Sequence, residues 1–245
     1  TLDHMYLLKC IIDLFKWKKK KIFCLFVDYK KAFDMVWREG LWFKLVRDNV
    51  NGKLLHVVKS MYKNVRSCVM VNQKLSDTFS CNMGVRQGEN LSPLLFAFYI
   101  NDLQDKLLEL NCKYLDFDNE FLNIYLKLFV LMYADDTVLL CDSEVNMKQA
   151  LTSLHNYCLD WKLKVNCDKT KIVVFSRGQV QTSNYNFQLG VRLFRLLTST
   201  NIWVSCLTTM VDSGKGSWLL RNRQPGLCIP SLVLHVNMTC QLIFK

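Results

Sequence analysis

Three aspartates stand where carboxylates could do chemistry. Asp28 ends the apolar run Ile22–Val27, and Asp135 and Asp136 lie between two further apolar segments. If these segments are neighbouring strands of one sheet, the three acids converge at one edge of it. Carboxylates that close repel one another unless a cation lies among them. Oxygen ligands favour Mg²⁺ or Mn²⁺, and two such ions about 4 Å apart can activate a hydroxyl group and stabilise a leaving pyrophosphate.

Each of these features also has a simpler explanation when taken alone. An Asp-Asp pair at a turn is usually a solvated turn, and strands commonly end in aspartate. A glycine-bounded loop such as Gly84–Gly88 usually only turns the chain. The chemistry therefore depends on the features occurring together in one fold.

The elements that must position the acids follow from hydrophobic periodicity. Ile22–Val27 is an unbroken apolar run, which is typical of a central strand buried on both faces. The pattern predicts an α+β fold in which helices cover an antiparallel sheet. The other predicted elements are a helix capped by Asp3, helices at about 39–49 and 53–62, a hairpin of 67–72 and 78–82 joined through 73–77, a helix that starts at Ser92-Pro93 and continues to Leu110, a hairpin of 126–133 and 137–141, a helix over 147–161 and a strand over 172–175.

Composition places the chain among globular proteins. It has 245 residues, 51% of them hydrophobic and 22% charged, which suits one domain or two small ones. The net charge of +11 indicates a polyanionic partner, nucleic acid or an anionic membrane, although a merely basic surface is an alternative. The longest apolar stretch, 121–134, contains Asn123 and Lys127 and is too short to span a bilayer.

Cysteine usage argues against both a disulfide framework and a zinc site. The eleven cysteines are scattered without Cys-x-x-Cys spacing, and the four histidines stand far apart. We expect reduced cysteines in a nuclear or cytoplasmic protein that is not secreted.

Four strings occur in the order of motifs A, B, C and D of reverse transcriptases, and the sequence resembles the enzymes of non-LTR (LINE-like) retrotransposons over about residues 1–177. The segment Thr1–Tyr6 resembles the helix before motif A. The four strings are Phe26-Val-Asp-Tyr-Lys-Lys-Ala-Phe-Asp34, Gly84-Val-Arg-Gln-Gly-Glu-Asn-Leu-Ser-Pro-Leu-Leu95, Tyr133-Ala-Asp-Asp136 and Leu163-Lys-Val-Asn-Cys-Asp-Lys-Thr-Lys171.

The resemblance implies a polymerase palm that acts as an RNA-directed DNA polymerase with two Mg²⁺ or Mn²⁺ ions. Asp28, Asp135 and Asp136 match its catalytic, metal-binding acids. Lys169 matches a lysine that donates a proton to pyrophosphate, with Lys171 as a substitute.

Four further residues match nucleotide-binding positions of the family. Phe33 matches a steric gate whose ring occupies the space of a ribose 2′-OH, and it could equally be a core residue. Gln87 and Gly88 would lie against the incoming nucleotide, where glycine lets the backbone come close. Arg86 is a candidate for binding phosphate.

The implied partners are an RNA template, a DNA primer and dNTPs, with no membrane, while the oligomeric state is left open. Basic residues could line a template–primer channel through sequence-independent, salt-sensitive contacts. The candidates are Lys16–Lys21, which could also be a solvated loop, together with Lys30, Lys31 and Arg38.

Three departures from the family's pattern lead us to expect an inactive chain. Glu89-Asn90 replaces the usual Asp-Pro, and the chain holds only part of the fingers and no intact thumb. The primer-grip string Tyr-Lys-Tyr-Leu-Gly is missing, although a shifted frame can spell it with chosen codons from Ser199 to Val204. We therefore expect a fingers remnant over 1–21, a palm over 22–177 and an irregular tail over 178–245 that is out of frame after about residue 190. The alternative function is a non-catalytic, nucleic-acid-binding remnant of a retroelement.

Overall fold

The protein is described here by a computed structural model, which covers residues 2–109, 112, 115–118, 130–133, 136–178, 185–194 and 196–198. The helices are α1 (Leu2–Trp17), α2 (Arg38–Arg47), α3 (Gly52–Met61), α4 (Leu91–Ile100), α5 (Leu103–Glu109) and α6 (Glu144–Asp160). The strands are β1 (Ile22–Val27), β2 (Arg66–Ser67), β3 (Met70–Val71), β4 (Lys74–Leu75), β5 (Phe79–Ser80), β6 (Val130–Tyr133), β7 (Asp136–Cys141), β8 (Lys171–Phe175), β9 (Phe187–Leu189), β10 (Arg192–Phe194) and β11 (Leu196–Thr198).

The main sheet has five strands in the order β11-β8-β1-β7-β6. Strand β1 is central and antiparallel to both β7 and β8, while β11 joins β8 in parallel. The prediction that Ile22–Val27 is a central strand is confirmed. Its unbroken apolar character follows from burial on two faces, since Phe23 and Leu25 pack on one side and Ile22 and Cys24 on the other.

Helices cover both faces of the sheet, which confirms the α+β class. Helices α2, α4, α5 and α6 share one apolar cluster with one face of β1, β7 and β8. Helix α1 covers the opposite face through Ile11, Ile12 and Phe15, which are at most 3% exposed. Within the described residues no helix is both long and apolar enough to cross a bilayer, and every described cysteine is a free thiol.

The predicted helix after Ser92 differs from the structure in two ways. It begins at Leu91, and Ser92 lies in its first turn, where its hydroxyl donates to the Arg86 carbonyl. It is also two helices, and near the break between them the Tyr99 carbonyl accepts a hydrogen bond from the Lys44 ammonium. Hydrophobic periodicity reveals neither this break nor the buried polar contacts beside it.

The predicted five-residue connection of the first hairpin is wrong. Strand β2 pairs with β5 and β3 with β4, so two short ladders are nested within one excursion of the chain. The tight turn is the pair Asn72-Gln73, whose φ angles of 49° and 62° fit a two-residue hairpin turn.

The expectation of an irregular tail from residue 178 is wrong for 187–198. Strands β9 and β10 form an antiparallel hairpin, and β11 extends the main sheet. Phe187, Leu189 and Phe194 are at most 8% exposed and join the main core. Residues 199–245 lie outside the described residues, and the frameshift stays a prediction.

Candidate active site

The strand register brings two of the three predicted acids together. Val27 pairs with Thr137 at the end of the β1–β7 ladder, so Asp28 and Asp136 are the next opposed pair. Opposed residues of antiparallel strands have Cα atoms about 5 Å apart. Asp28 and Asp136, each half-buried, form what is called the acidic edge below. Asp135 lies outside the described residues.

Both carboxylates of the acidic edge belong to the same face of the sheet. Side chains alternate along a strand, so Asp28 falls on the face of Phe26, and Asp136 on the face of Val138. Phe26 and Val138 are themselves opposed, and both belong to the cluster under α1. The hairpin is also tighter than predicted, because Tyr133 pairs with Asp136 and leaves two residues between the strands.

The segment that resembles motif D is bonded to the end of β1. The Asn166 amide donates to the Asp28 carbonyl at 2.7 Å, and the Asp28 amide donates to the Thr170 hydroxyl at 3.1 Å. The Lys30 amide donates to the Lys164 carbonyl at 2.7 Å. The backbone of Asp28 is therefore held on both sides, independently of any ligand on its carboxylate.

Lys169 lies in the turn between Asn166 and Thr170. Its amide donates to the Asn166 carbonyl at 3.2 Å, and the residue is exposed. The substitute Lys171 is half-buried at the start of β8, where its ammonium donates to the Asp168 carbonyl. Of the two lysines, Lys169 is the more accessible for chemistry at the acidic edge.

The segments that resemble motifs A and B are joined directly. The Val85 amide donates to the Phe33 carbonyl and the Gly84 amide to the Val36 carbonyl, both at 2.8 Å. Phe33 is half-buried, with its ring 5.1 Å from that of Phe96, so it contributes to packing while one side stays accessible. Gln87 and Gly88 are exposed on the same loop.

Arg86 is engaged within the protein. Its guanidinium donates to Glu89 at 2.8 Å and to the Met61 carbonyl at 2.7 Å, which directs it towards the end of α3. Its predicted role in phosphate binding would require these contacts to be exchanged, and it stays a prediction.

The predicted basic channel is not assembled as expected. Arg38 is 9% exposed, and its guanidinium binds the carbonyls of Tyr62, Met83 and Gly84, so its assignment to the channel is wrong. These contacts satisfy loop carbonyls that no helix or strand serves.

The other candidates for the channel divide into two groups. Lys16–Lys21 precedes β1 whereas Asp28 follows it, so about 20 Å of strand separates them. Lys30 and Lys31, by contrast, are exposed close to the acidic edge.

A buried polar cluster under α2 was missed by sequence reasoning. Lys44 is 0% exposed; its ammonium donates to Asp102 at 2.6 Å and to the Tyr157 hydroxyl at 2.9 Å. Arg47 donates to the other oxygen of Asp102 at 2.7 Å. These four residues, Lys44, Arg47, Asp102 and Tyr157, are called the Lys44 cluster. The only sequence signal for it is a lysine within the apolar stripe of α2.

Electrostatics in the Lys44 cluster reflect burial opposed by pairing. Burial lowers the pKa of Lys44 to about 8, although the hydrogen bond and charge of Asp102 oppose the shift. Burial alone would raise the pKa of Asp102, but the bonds from Lys44, Arg47 and Tyr157 outweigh it, so that pKa lies below its ordinary value. The Lys44 ammonium also sits 3.6 Å from the centre of the Trp161 ring, just before the segment bonded to Asp28.

The donor set of the acidic edge fits a hard divalent cation. Two acids lie at opposed positions there, and the predicted ligand set holds no thiol or imidazole, which is the chemistry that Mg²⁺ and Mn²⁺ prefer. Within the part of the chain that the structure describes, no group of three His, Cys, Asp or Glu side chains could hold a metal ion. The third predicted ligand, Asp135, is outside that part.

Comparison with known families matches most of the chain. A family model for reverse transcriptase (RNA-dependent DNA polymerase) matches residues 3–196. The match includes all four motif strings. It ends shortly before Ser199–Val204, where the shifted frame can spell the primer-grip string.

Three curated relatives come from mobile elements. A probable RNA-directed DNA polymerase from transposon BS of Drosophila melanogaster is 33% identical over 156 residues, which are 59% of this chain and 15% of that protein. The RNA-directed DNA polymerase from mobile element jockey of Drosophila melanogaster is 27% identical over 220 residues, 81% and 22% of the two chains. The Pol polyprotein from type-1 retrotransposable element R2 of Nasonia vitripennis is 29% identical over 152 residues, 62% and 14%. The chain spans less than a quarter of the length of each.

Among solved structures, an apo telomerase from Candida tropicalis, truncated from its C-terminal domain, is similar with a TM-score of 0.49 and 18% identity. The similarity covers 78% of this chain and 39% of that one.

Proposed function

Since this chain belongs to the reverse transcriptase family, among the enzymes of non-LTR retrotransposons, we propose that its acidic edge is the catalytic centre of an RNA-directed DNA polymerase palm. The observation that carries this proposal is the register that makes Asp28 and Asp136 opposed residues of adjacent strands. The reaction is nucleotidyl transfer, in which a primer 3′-OH attacks the α-phosphate of a dNTP and pyrophosphate leaves.

The proposed metal ligands are Asp28, Asp135 and Asp136, with Mg²⁺ or Mn²⁺ as two bound ions. Bound there, the ions would activate the primer hydroxyl and offset the charge that develops on the leaving pyrophosphate. The protein's own contribution is to fix the Asp28 backbone through Asn166 and Thr170. A carboxylate on a fixed backbone needs little rearrangement to receive a cation, which favours tight positioning.

The motif A–B junction is proposed to receive the nucleotide. Phe33 would present its ring to the sugar and exclude a 2′-OH, while Gln87 and Gly88 would lie against the nucleotide. Both segments are fixed to each other by backbone hydrogen bonds, which supports a preformed pocket wall. Lys169, exposed beside the residues that hold Asp28, would give a proton to pyrophosphate.

The proposed partners are an RNA template and a DNA primer. The net charge of +11 and the exposed Lys30 and Lys31 near the acidic edge support contacts to phosphates. The basic turn Lys16–Lys21 lies too far along β1 to join them at the edge.

Ion binding tests the catalytic centre without requiring turnover. We expect the full chain to bind Mn²⁺, measured by electron paramagnetic resonance, and Asp28→Asn or Asp136→Asn to weaken binding at least tenfold while the circular dichroism spectrum is unchanged. Asp160→Asn, an exposed acid at the end of α6, removes the same charge as a control. Equal binding by all four proteins would refute the proposed centre.

Primer extension on an RNA template that depends on Asp136 would favour the polymerase palm over the non-catalytic remnant. We expect little or no extension by this chain alone, because a poorly held primer end loses orders of magnitude in rate. Any extension should fall at least about 100-fold in Asp136→Asn.

A non-catalytic remnant is the second candidate, favoured by Glu89-Asn90 in place of Asp-Pro and by the missing primer-grip string. Salt-dependent binding of primer–template without any extension would support it.

A further inference from the structure

We propose that Asp34 is a positioning residue that aims the Gln87 amide at the sugar of an incoming nucleoside triphosphate, and so contributes to selection of deoxyribose over ribose. The inference rests on the proposed function, because it takes Gln87 and Phe33 as the nucleotide-facing residues. Its central observation is a hydrogen bond of 2.9 Å from Gln87 Nε2 to Asp34 Oδ1. Neither residue is covered by the rest of the described protein, since both are exposed.

The backbone around this hydrogen bond is fixed. Two amide–carbonyl bonds join 33–36 to 84–85, as described above. Gly84 has a φ of 81°, and a Cβ there would lie 2.7 Å from the Asp34 carbonyl oxygen and 2.9 Å from its Cα. The Arg38 guanidinium binds the Met83 and Gly84 carbonyls at 3.1 and 2.9 Å. The Cα atoms that carry the Asp34 and Gln87 side chains are therefore held at a set separation.

The loop is less closely packed at Gly88 than at Gly84. Gly88 has a φ of 85°, and a Cβ built on it would meet nothing within 4 Å. Arg86, on the other side of Gln87, is committed to Glu89 and Met61. Gln87 is exposed, so the bond to Asp34 is the contact from which we infer its rotamer.

The bond also fixes which polar atoms Gln87 offers to a ligand. A glutamine amide has two N–H donors and one carbonyl acceptor. Asp34 takes one donor, which leaves the carbonyl and the second N–H for a neighbouring polar group. A sugar hydroxyl can accept and donate, so it suits this pair of atoms.

Phe33 and Asp34 couple the aromatic and the polar parts of the pocket wall. They are adjacent in sequence, and the Phe33 ring is anchored 5.1 Å from the Phe96 ring. A change at Asp34 would leave this anchored ring in place but release the amide. The expected result is weaker binding of deoxynucleotide and a smaller preference for it, rather than loss of the pocket.

The test uses the full chain with an RNA template and a dideoxy-terminated DNA primer, so that nucleotides bind without reacting. Kd values for the next dNTP and the matching rNTP are measured for the parent protein, Asp34→Ala and Asp34→Asn. We expect Asp34→Ala to raise the Kd for dNTP about three- to tenfold and to reduce the dNTP preference. Asp34→Asn keeps an Oδ1 acceptor for Gln87 and should remain within twofold of the parent protein.

A double-mutant cycle separates positioning from a general structural effect. Because Asp34 acts through Gln87, adding Asp34→Ala to Gln87→Ala should change the Kd no further. Additive effects, or equal Kd values for Asp34→Ala and Asp34→Asn that both differ from the parent, would overturn the inference. So would Asp34→Ala binding like the parent.

Failure of the proposed function has a different signature. If the Asp28 and Asp136 variants both bind Mn²⁺ as well as the parent protein does, the catalytic centre is refuted, even if the Asp34 cycle behaves as expected. If the parent complex binds neither nucleotide, both the pocket and the role of Asp34 are refuted, while Mn²⁺ binding can still stand.

Discussion

The acidic edge and the Lys44 cluster treat charge in opposite ways. At the edge, Asp28 and Asp136 are half-buried and opposed on adjacent strands, so two like charges are brought together. In the cluster, Asp102 is 5% exposed and receives hydrogen bonds from Lys44, Arg47 and Tyr157. One region places two acids at opposed strand positions, and the other pairs one buried acid with two basic side chains.

Under the proposed function, this difference separates residues that bind ligands from residues that stabilise the fold. A buried carboxylate must be paired, because desolvation of an unpaired charge costs several kcal/mol. The cluster ties α2 to α5 and α6, and α6 leads through Trp161 to the segment that holds Asp28. At the edge, two acids lie at opposed strand positions, and the Asp28 backbone is held by hydrogen bonds with Asn166 and Thr170.

Breaking the cluster should have the largest effect on stability. Lys44→Met removes one partner of a buried ion pair, and we expect it to lower the free energy of unfolding by about 3 kcal/mol. This loss of stability is at the lower end of the range for breaking a buried ion pair, because Arg47 and Tyr157 still bind Asp102. Urea denaturation measures it.

The matched control is Lys148→Met, which removes an exposed ion pair with Glu144 and should cost less than about 1 kcal/mol. Equal losses in the two variants would show that the cluster does not stabilise the fold as argued.

Substitution of a glycine where motifs A and B meet should have the next largest effect on stability. Gly84→Ala combines a positive φ with a clash against the Asp34 backbone, and we expect a loss of about 2–3 kcal/mol. Gly88→Ala has a similar φ of 85° but open space, so it should cost only about 1 kcal/mol. Thermal unfolding of both variants tests this, and a Gly88→Ala loss as large as that of Gly84→Ala would contradict the close approach of motifs A and B.

The smallest expected effect is a pH dependence of the cluster. The pKa of Asp102 is lowered in the folded protein, so its stabilising contribution is complete above its unfolded pKa of about 4 and is lost as pH falls through the lower folded value. The difference in unfolding free energy between the parent protein and Asp102→Asn should therefore be constant from pH 7 to pH 5 and shrink towards pH 3. Chemical denaturation at these three pH values provides the measurement, with Asp160→Asn as the control for loss of one charge. A difference that grows on acidification would contradict the assignment.

Much of the sheet could be predicted because its signals are local. An unbroken apolar run defines β1, and the acids at its end and before β7 mark the same edge once the strands pair. The four motif strings indicated the family and the candidate roles of their residues, and the match to the reverse transcriptase family model confirms the family. The site roles remain predictions for all of the assigned residues: Asp28, Phe33, Arg86, Gln87, Gly88, Asp135, Asp136 and Lys169.

Other features depend on contacts between distant segments. Arg38 reads as a surface cation, but Met83, Gly84 and Tyr62 offer carbonyls that draw it into the interior. At the break between α4 and α5, Tyr99 and Asp102 bind Lys44, which lies more than fifty residues earlier in the chain. No periodicity within either helix records these pairings.

The amino-acid sequence by itself determined that Ile22–Val27 is a buried strand leading to Asp28, because burial on two faces requires continuous apolar residues. Only the tertiary structure decided how Asp28 and Asp34 are supported. The hydrogen bonds between Asp28 and both Asn166 and Thr170, and between Gln87 and Asp34, join residues 53 to 142 positions apart. Hydrogen bonds are short-ranged and directional, so they exist only once the hydrophobic effect has brought their partners within about 3 Å.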